Sequence, residues 1–327
     1  MTVDWRPGAS LDTLRLRARM LERLRDFFAR RGVLEVETPL LSVAASTDPA
    51  LASFSTPYQG PGLPAGQPLY LHTSPEFPMK RLLAAGSGPI YQVARVFRDG
   101  EAGTRHNPEF SLLEWYRTGW ELESLMDEVE ALVTALRGDA PPLPATRRYA
   151  YRELFQAFLA IDPLMATVEE LRACCHQAGI QAPDSMPGDE VDPWLDLLLS
   201  HAIEPRLGPG LVFLYDYPAS QAALARVRPG SPPLAERFEL YWDGLDLANG
   251  FHELGDATEQ RGRFVADNHK RAAQGRPLMP LDERLLAALE QGLPDCSGVA
   301  LGLDRLLMRL AGLERIDQVL AFAIERA

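Results

Sequence analysis

Apolar residues at Leu14, Leu21, Leu24 and Phe28 recur at helical spacing behind Ser10, a residue type that caps helix N-termini, and Gly32 supplies a stop. The first element is read as an amphipathic helix. Residues 33–39 (VLEVETP) read as a strand ended by proline, followed by a Ser-, Pro- and Gly-rich loop to about residue 67. After a short strand over 69–72, Ser74-Pro75 offers a cap and a first-turn proline for a helix that stops near Gly86. Strands over 89–98 and 109–116, joined by the polar segment 99–106, should pair as an antiparallel hairpin.

Residues 122–136 read as a helix, and GDAPPLPAT (138–146) is the clearest linker. From about 150 to 206 the pattern is helical and carries no motif, so it is expected to be an insertion packing on the core. A second sheet segment starts at Leu211 and includes a hairpin over 236–251, with Asp243-Gly244 as a type I′ turn signal. Helices over 256–274 and 282–291 lead to a strand over 299–302 and a helix beginning near Asp304. No internal repeat or low-complexity run interrupts this pattern. Antiparallel strand pairs with helices segregated between them indicate an α+β fold. A single catalytic domain over 1–327 that carries the insertion is the expected organisation.

Composition narrows the picture. A chain of 327 residues, 46% hydrophobic, can bury a large core, and no stretch reaches the roughly 18 apolar residues of a membrane span. MTVDWRPGAS has no hydrophobic run of signal-peptide type, so a soluble cytoplasmic protein with no membrane partner is expected. The three cysteines, Cys174, Cys175 and Cys296, form no C-x-x-C pair and have no zinc-type spacing, which points to a reduced compartment and no structural metal. A formal charge of −12 argues against broad binding to nucleic-acid backbones. Against that trend stand Arg15, Arg17, Arg19, Arg23, Arg25, Arg30 and Arg31, readable as a solvated helix face or as an acceptor-docking surface.

Two arginines and four carboxylates carry the chemistry. Guanidinium forks bind phosphate oxygens bidentately, so Arg98 and Arg305, at the ends of separate elements, suit a polyphosphate such as ATP. Glu239, Asp246 and Glu253 recur every seven residues. With Asp243-Gly244 as a two-residue turn, Tyr241 should pair with Asp246 and Glu239 with Ala248, which puts Glu239 and Asp246 on one face as a pair able to bind Mg²⁺. Simple alternation would send Glu253 to the other face, unless a bulge at Asn249-Gly250 restores it. Glu114, set among Leu112, Leu113 and Trp115 on one strand face with Tyr116 and Phe110, calls for a cationic partner. Other patterns fail on spacing. His252-Glu253 lacks the second histidine of a zinc protease, Gly86-Ser87-Gly88 lacks the lysine of a phosphate loop, and Cys174-Cys175-His176 reads as ordinary buried helix.

FRDGEAGTRHNPEFSLLEWY (97–116) resembles motif 2 of class II aminoacyl-tRNA synthetases, GVALGLDR (298–305) resembles motif 3 and RGVLEVETP (31–39) resembles motif 1, in the family's order. The resemblance implies that Arg98 holds the α-phosphate and Arg305 the γ-phosphate, that Phe110 stacks on adenine, and that Asp99, Gly100, Glu101, His106, Asn107, Asp246, Leu247 and Gly302 complete the ATP site. By resemblance to the lysyl enzymes, Glu253 and Tyr116 take the side-chain ammonium of the substrate, Glu76 and Glu114 face its backbone amino group, and Ser74 and Pro75 also belong to the substrate site. Asn249 then faces the carboxylate, and Ala300 stands where those enzymes have glycine.

With motif 1 beginning at Arg31, no room remains for an anticodon-binding barrel, so tRNA is not the expected acceptor. TSPEF, HNPEF, LANGFHEL and PDCSGVALG resemble, along nearly the whole chain, the bacterial ligases that attach (R)-β-lysine to a lysine of elongation factor P. That likeness implies ATP, Mg²⁺ and a homodimer built on motif 1. Gly100 and Asp246 depart from the family's glutamates. A free-standing amide-forming synthetase, lysine-type tRNA aminoacylation and a catalytically dead regulator are the competing readings.

Overall fold

Ser10 Oγ accepts the Thr13 amide at 3.1 Å and starts α1 (Leu11–Ala29), which buries Met20, Leu24, Phe27 and Phe28. The computed structural model describes residues 5–183 and 186–327. These group into two compact units, one formed by residues up to 121 with 131–138 and 255–327, the other by 122–130 with 139–254.

In the first unit the segment expected as a strand over 33–39 is regular only at β1 (Leu34–Glu35). The loop expected up to residue 67 contains β2 (Leu41–Ser42) and β3 (Ser55–Tyr58), and both pair with β4 (Gln67–Leu71) in a separate three-stranded sheet. Their shortness, and Pro57 within β3, hide them from a pattern search, because proline is confined to edge strands. α2 (Glu76–Ala84) follows, with Pro75 at its N-cap and not at its first helical position, while Ser74 Oγ accepts the Glu76 amide at 3.1 Å. β5 (Ile90–Phe97) and β6 (Glu109–Thr118) pair antiparallel as expected, and β1 adds to β5 in parallel. β6 is buried from Ser111 to Arg117, so both of its faces are covered. Phe28 stacks on Tyr91 with ring centroids 4.4 Å apart and meets Trp115 edge-on, tying α1 to this sheet. α3 (Leu122–Arg137) belongs to the first unit only over 131–137.

The second unit opens with β7 (Arg147–Ala150), which lies in what reads as linker and insertion and runs parallel to β8. α4 (Tyr151–Leu159), α5 (Val168–Gln177) and α6 (Asp192–Leu198) form the helical stretch. They pack Tyr151, Leu154, Phe155, Leu171, Trp194 and Leu195 against Val212, Leu214 and Tyr241 in one core. Each such side chain contributes roughly 1.5–3 kcal/mol on full burial. Cys174 and Cys175 belong to this cluster on α5, and burial pushes both thiols up. β8 (Leu211–Pro218), β9 (Val227–Arg228), β10 (Leu234–Trp242) and β11 (Leu245–His252) complete the unit in the order β11-β10-β8-β7, with β9 beside β10. The β10–β11 turn has positive φ at Asp243 (48°) and Gly244 (71°), as a type I′ turn requires.

The chain returns to the first unit with α7 (Ala257–Ala273), α8 (Glu283–Gln291), β12 (Cys296–Gly302) and α9 (Leu303–Ala311). β12 pairs antiparallel with β6, giving the order β1-β5-β6-β12 within this unit. The arginines of α1 are largely engaged. Arg15 pairs with Asp12, Arg17 with Asp304, Arg25 with Glu35 and Arg30 with Asp26, while Arg23 donates to Leu136 O and Arg31 lies over the Phe27 ring. That pairing favours a solvated, internally neutralised face over a docking surface. No helix among the described residues is long and apolar enough to cross a membrane.

Candidate active site

In the first unit, β6, β12 and the start of α2 bring together a buried cluster around Glu114. Pairing of Glu114 with Ala300, Tyr116 with Gly298 and Leu112 with Gly302 puts these side chains on one face, with the Ala300 methyl directly across from Glu114. Glu114 is only 2% exposed. Its Oε1 accepts the Tyr116 hydroxyl at 2.6 Å and its Oε2 accepts the Ser74 hydroxyl at 2.6 Å. Tyr116, read from sequence as a partner of Glu253, thus has its hydroxyl on Glu114. Glu76, one turn before Lys80, accepts Lys80 Nζ at 2.6 Å, and that ammonium is 1% exposed. A buried charge of this kind persists only when paired, so Glu76 is part of an ion pair before any substrate amine arrives.

The groups expected to face phosphate lie at the ends of β5 and β12. After β5 the chain turns through Arg98, Asp99, Gly100 and Glu101, with the Glu101 amide 3.4 Å from Arg98 O. Gly100 has φ +82°, a conformation that other residues adopt at a cost, which gives its glycine a backbone reason. Arg98 lies over the Phe110 ring at 5.1 Å, with Nη1 3.7 Å from Glu101 and Nε 3.4 Å from Thr73 O. Arg305, in the first turn of α9, has Nη2 2.7 Å from His106 Nε2 and Nε 3.3 Å from Arg105 O. Arginine only donates, so that ring nitrogen of His106 accepts and the imidazole is neutral. Burial, with the Arg305 charge second, holds His106 below the usual imidazole range. Asn107 is spent on the protein itself, donating to Glu109 O at 2.6 Å and accepting the Ile324 amide at 3.0 Å. Behind Arg305, Asp304 is buried between Arg17 and the Ser111 amide.

In the second unit the hairpin departs from the predicted register. Tyr241 does pair with Asp246, but Leu240 takes Ala248 and Glu239 takes Asn249, because a bulge at Leu247 adds one residue to β11. The expected Glu239–Ala248 pairing is therefore wrong by one position. The parity change anticipated at Asn249-Gly250 occurs earlier. Directly opposed residues share a face, so Glu239, Tyr241, Asp246 and Asn249 face the same way. Past the end of β11, Glu253 forms an isolated bridge with Ala225 and is 6% exposed.

Arg237 and Tyr241 both donate to Glu239, the tyrosine at 2.5 Å to Oε2. A carboxylate oxygen can accept from one donor and still offer a lone pair to a hard divalent ion, so Glu239 and Asp246, on one face, are the residues that would hold Mg²⁺ if it binds here. Among the described residues no group of three or more His, Cys, Asp or Glu side chains could hold a metal alone.

Sequence reasoning passed over Lys80 and Arg237, and did not pair Arg17 with Asp304. Lys80 stands four residues after Glu76 on a helix and Arg237 two before Glu239 on a strand, spacings that bring side chains together. The Arg17–Asp304 pair spans 287 residues and leaves no local signal.

Comparison with known proteins identifies the family. The chain matches the family described as tRNA synthetases class II (D, K and N) over residues 1–326. It is 49% identical over 325 residues to an elongation factor P–(R)-β-lysine ligase of Vibrio cholerae serotype O1, covering 99% of both chains. A protein of the same name from Proteus mirabilis is 49% identical over 325 residues, covering 99% of this chain and 98% of that one. One from Klebsiella pneumoniae is 48% identical over 327 residues, covering 100% and 99%. With the three motif segments placed on β1, β5–β6 and β12–α9, the chain belongs to the class II tRNA synthetase family of the D, K and N type.

Proposed function

We propose that this chain is an ATP-dependent ligase that activates (R)-β-lysine as an acyl-adenylate and transfers it to a lysine side chain of elongation factor P. One observation carries the choice of substrate and acceptor: proteins bearing that name match the chain from end to end at nearly half identity. The geometry supports it. Glu114, Ser74 and Tyr116, with Glu76 beside them, form a buried acidic cluster suited to a substrate amine, and Arg98 and Arg305 carry guanidiniums suited to phosphate. Glu253 is assigned the side-chain ammonium and Asn249 the carboxylate.

In the first step a carboxylate oxygen of the amino acid attacks the α-phosphorus of ATP, and the bond to pyrophosphate breaks. Arg98 stabilises charge developing at the α-phosphate and Arg305 that on the departing pyrophosphate, while Phe110 offers its ring to adenine. Mg²⁺ held by Glu239 and Asp246 supplies further charge neutralisation when bound. In the second step the acceptor's lysine amine attacks the acyl carbon, AMP leaves, and the nitrogen loses a proton as the amide forms. An unperturbed lysine has a pKa near 10.4, so about one in two thousand is neutral at pH 7, and the complex must supply deprotonation. The protein is proposed to work as a cytoplasmic homodimer through α1 and motif 1, which a monomeric mass in solution at micromolar concentration would contradict.

ATP–pyrophosphate exchange with a panel of amino acids, followed by transfer of labelled β-lysine to elongation factor P, tests the reading. Exchange should be fastest with (R)-β-lysine and label should enter the factor. Exchange with aspartate or asparagine, or label entering tRNA in its place, would overturn it.

A further inference from the structure

Arg237 is the most thoroughly engaged cation of the second unit. Its guanidinium plane lies over the Tyr217 ring at 4.4 Å from the centroid, and each nitrogen has its own partner. Nε donates to Asn249 Oδ1 at 3.0 Å, Nη1 to Gln221 O at 2.8 Å, and Nη2 to Glu239 Oε1. The acceptors of Nη1 and Nη2 are themselves fixed. Gln221 Nε2 donates to Asp196 Oδ1 at 2.9 Å, which ties that backbone position to α6 of the helical stretch, and the Tyr241 hydroxyl holds the other oxygen of Glu239. Arg237 and Glu239 are 17% and 16% exposed, so the pair is largely withdrawn from water.

This arrangement decides something that Asn249 cannot decide alone. An asparagine side chain is nearly symmetric in shape and turns either its oxygen or its NH₂ to a neighbour, whichever the neighbour complements. Arginine only donates, so Asn249 must give Arg237 its oxygen, and its NH₂ faces the other way. An NH₂ donor is the group a substrate carboxylate needs. An oxygen turned outward would repel it.

We infer that Arg237 is a positioning residue for substrate recognition: anchored by Glu239, Gln221 and Tyr217, it locks the Asn249 amide with its NH₂ presented to the substrate carboxylate. The inference rests on the assignment of Asn249 proposed above. It also gives the helical stretch a part in the reaction, because α6 holds residue 221 in place through Asp196. Lysine at 237 would keep the charge but could not hold Glu239, Gln221 and Asn249 at once in a fixed fork.

The test is direct binding, measured calorimetrically, of (R)-β-lysine and of the amino alcohol in which its carboxylate is reduced to CH₂OH. Wild type should prefer the acid by at least about tenfold, the scale on which a site built for a polar group rejects an analogue lacking it. Arg237→Lys should lose that preference with its melting temperature nearly kept, and Arg237→Lys/Asn249→Ala should lose no more than either single change, because the two act through one contact. Asn249→Asp provides a variant that keeps Arg237 satisfied and the fold intact while turning an oxygen toward the substrate, and it should abolish the preference as well. Undiminished preference in folded Arg237→Lys or in Asn249→Asp, or losses that add in the double variant, would overturn the inference. Failure of wild-type protein to bind β-lysine or to exchange pyrophosphate with it would instead sink the functional reading, so the two failures are separable.

Discussion

The β10–β11 hairpin and the arginine clamp of the first unit solve the problem of holding charge in opposite ways. In the hairpin Glu239 is bonded at both oxygens and Arg237 at every nitrogen, with contacts of 2.8–3.0 Å to Gln221 and Asn249, so orientation is set in advance. In the clamp the contacts of Arg98 include 3.4 Å to Thr73 O and 3.7 Å to Glu101, at or beyond the outer limit of a hydrogen bond, and its side chain is 27% exposed. The difference follows from what each must meet. On the proposed function, a carboxylate pair that is to receive a small hard ion needs fixed geometry, whereas the Arg98 guanidinium, assigned to a large polyanion, can exchange long protein contacts for short charge-assisted ones.

The sharpest break in that comparison is to truncate the clamp. Arg98→Ala or Arg305→Ala should lower ATP–pyrophosphate exchange by about 10²–10³-fold, the usual cost of removing a preorganised donor, with little change in melting temperature. Exchange close to wild type in Arg98→Ala would mean that the loosely held arm is only a surface ion pair.

Next in size is a support that is fixed although it lies in the first unit. Arg17→Ala strands the buried Asp304 carboxylate between the Ser111 amide and an empty position, and should cost about 3 kcal/mol of stability, the lower end for breaking a buried pair because Arg17 is 18% exposed. Urea unfolding measures it. An unchanged midpoint would show that the Arg17–Asp304 pair adds nothing to the stability of the native state.

A smaller effect concerns substrate choice. The Ala300 methyl faces Glu114 across the β6–β12 ladder, so Ala300→Gly should open the wall against which the substrate's backbone end is proposed to lie. Adenylation of α-lysine relative to β-lysine should rise by at least about tenfold, within the range of one carbon in a pocket. Comparing kcat/KM for the two isomers decides it, and a constant ratio would place the discrimination elsewhere.

The smallest effect is on pH. His106 and His72 are both held below the usual imidazole range, chiefly by burial. Below about pH 6.5 the unfolded chain therefore binds protons that the native state refuses, and stability falls as pH falls. His106→Gln should shrink this acid-side loss in melting curves taken between about pH 5 and 8, where histidine titrates. An identical slope would free His106 of that role.

The helices were read well because their signals are local: a cap at Ser10, a periodic apolar face, a glycine stop. The β5–β6 hairpin and the Asp243-Gly244 turn were read for the same reason. β2 and β3, which pair with the expected strand β4, were missed because pairing, not pattern, makes strands of two to four residues. The register error in β11 has a specific cause. Nothing in LDLANG marks Leu247, rather than the Asn-Gly step, as the residue that leaves the ladder.

Residue identity and spacing along the chain were enough to select the arginines, the acidic residues and the family resemblance, because those choices depend on which chemical groups exist and in what order. Which partner each group holds could not be had that way. Glu76 on Lys80, Glu114 between Ser74 and Tyr116, Asp304 on Arg17 and Asn249 on Arg237 depend on backbone positions up to 287 residues apart brought within hydrogen-bond reach. A hydrogen bond is lost within a few tenths of an ångström, and sequence spacing fixes distances only within one helix, strand or turn. The chain thus declares its reagents, and the fold settles how each is aimed.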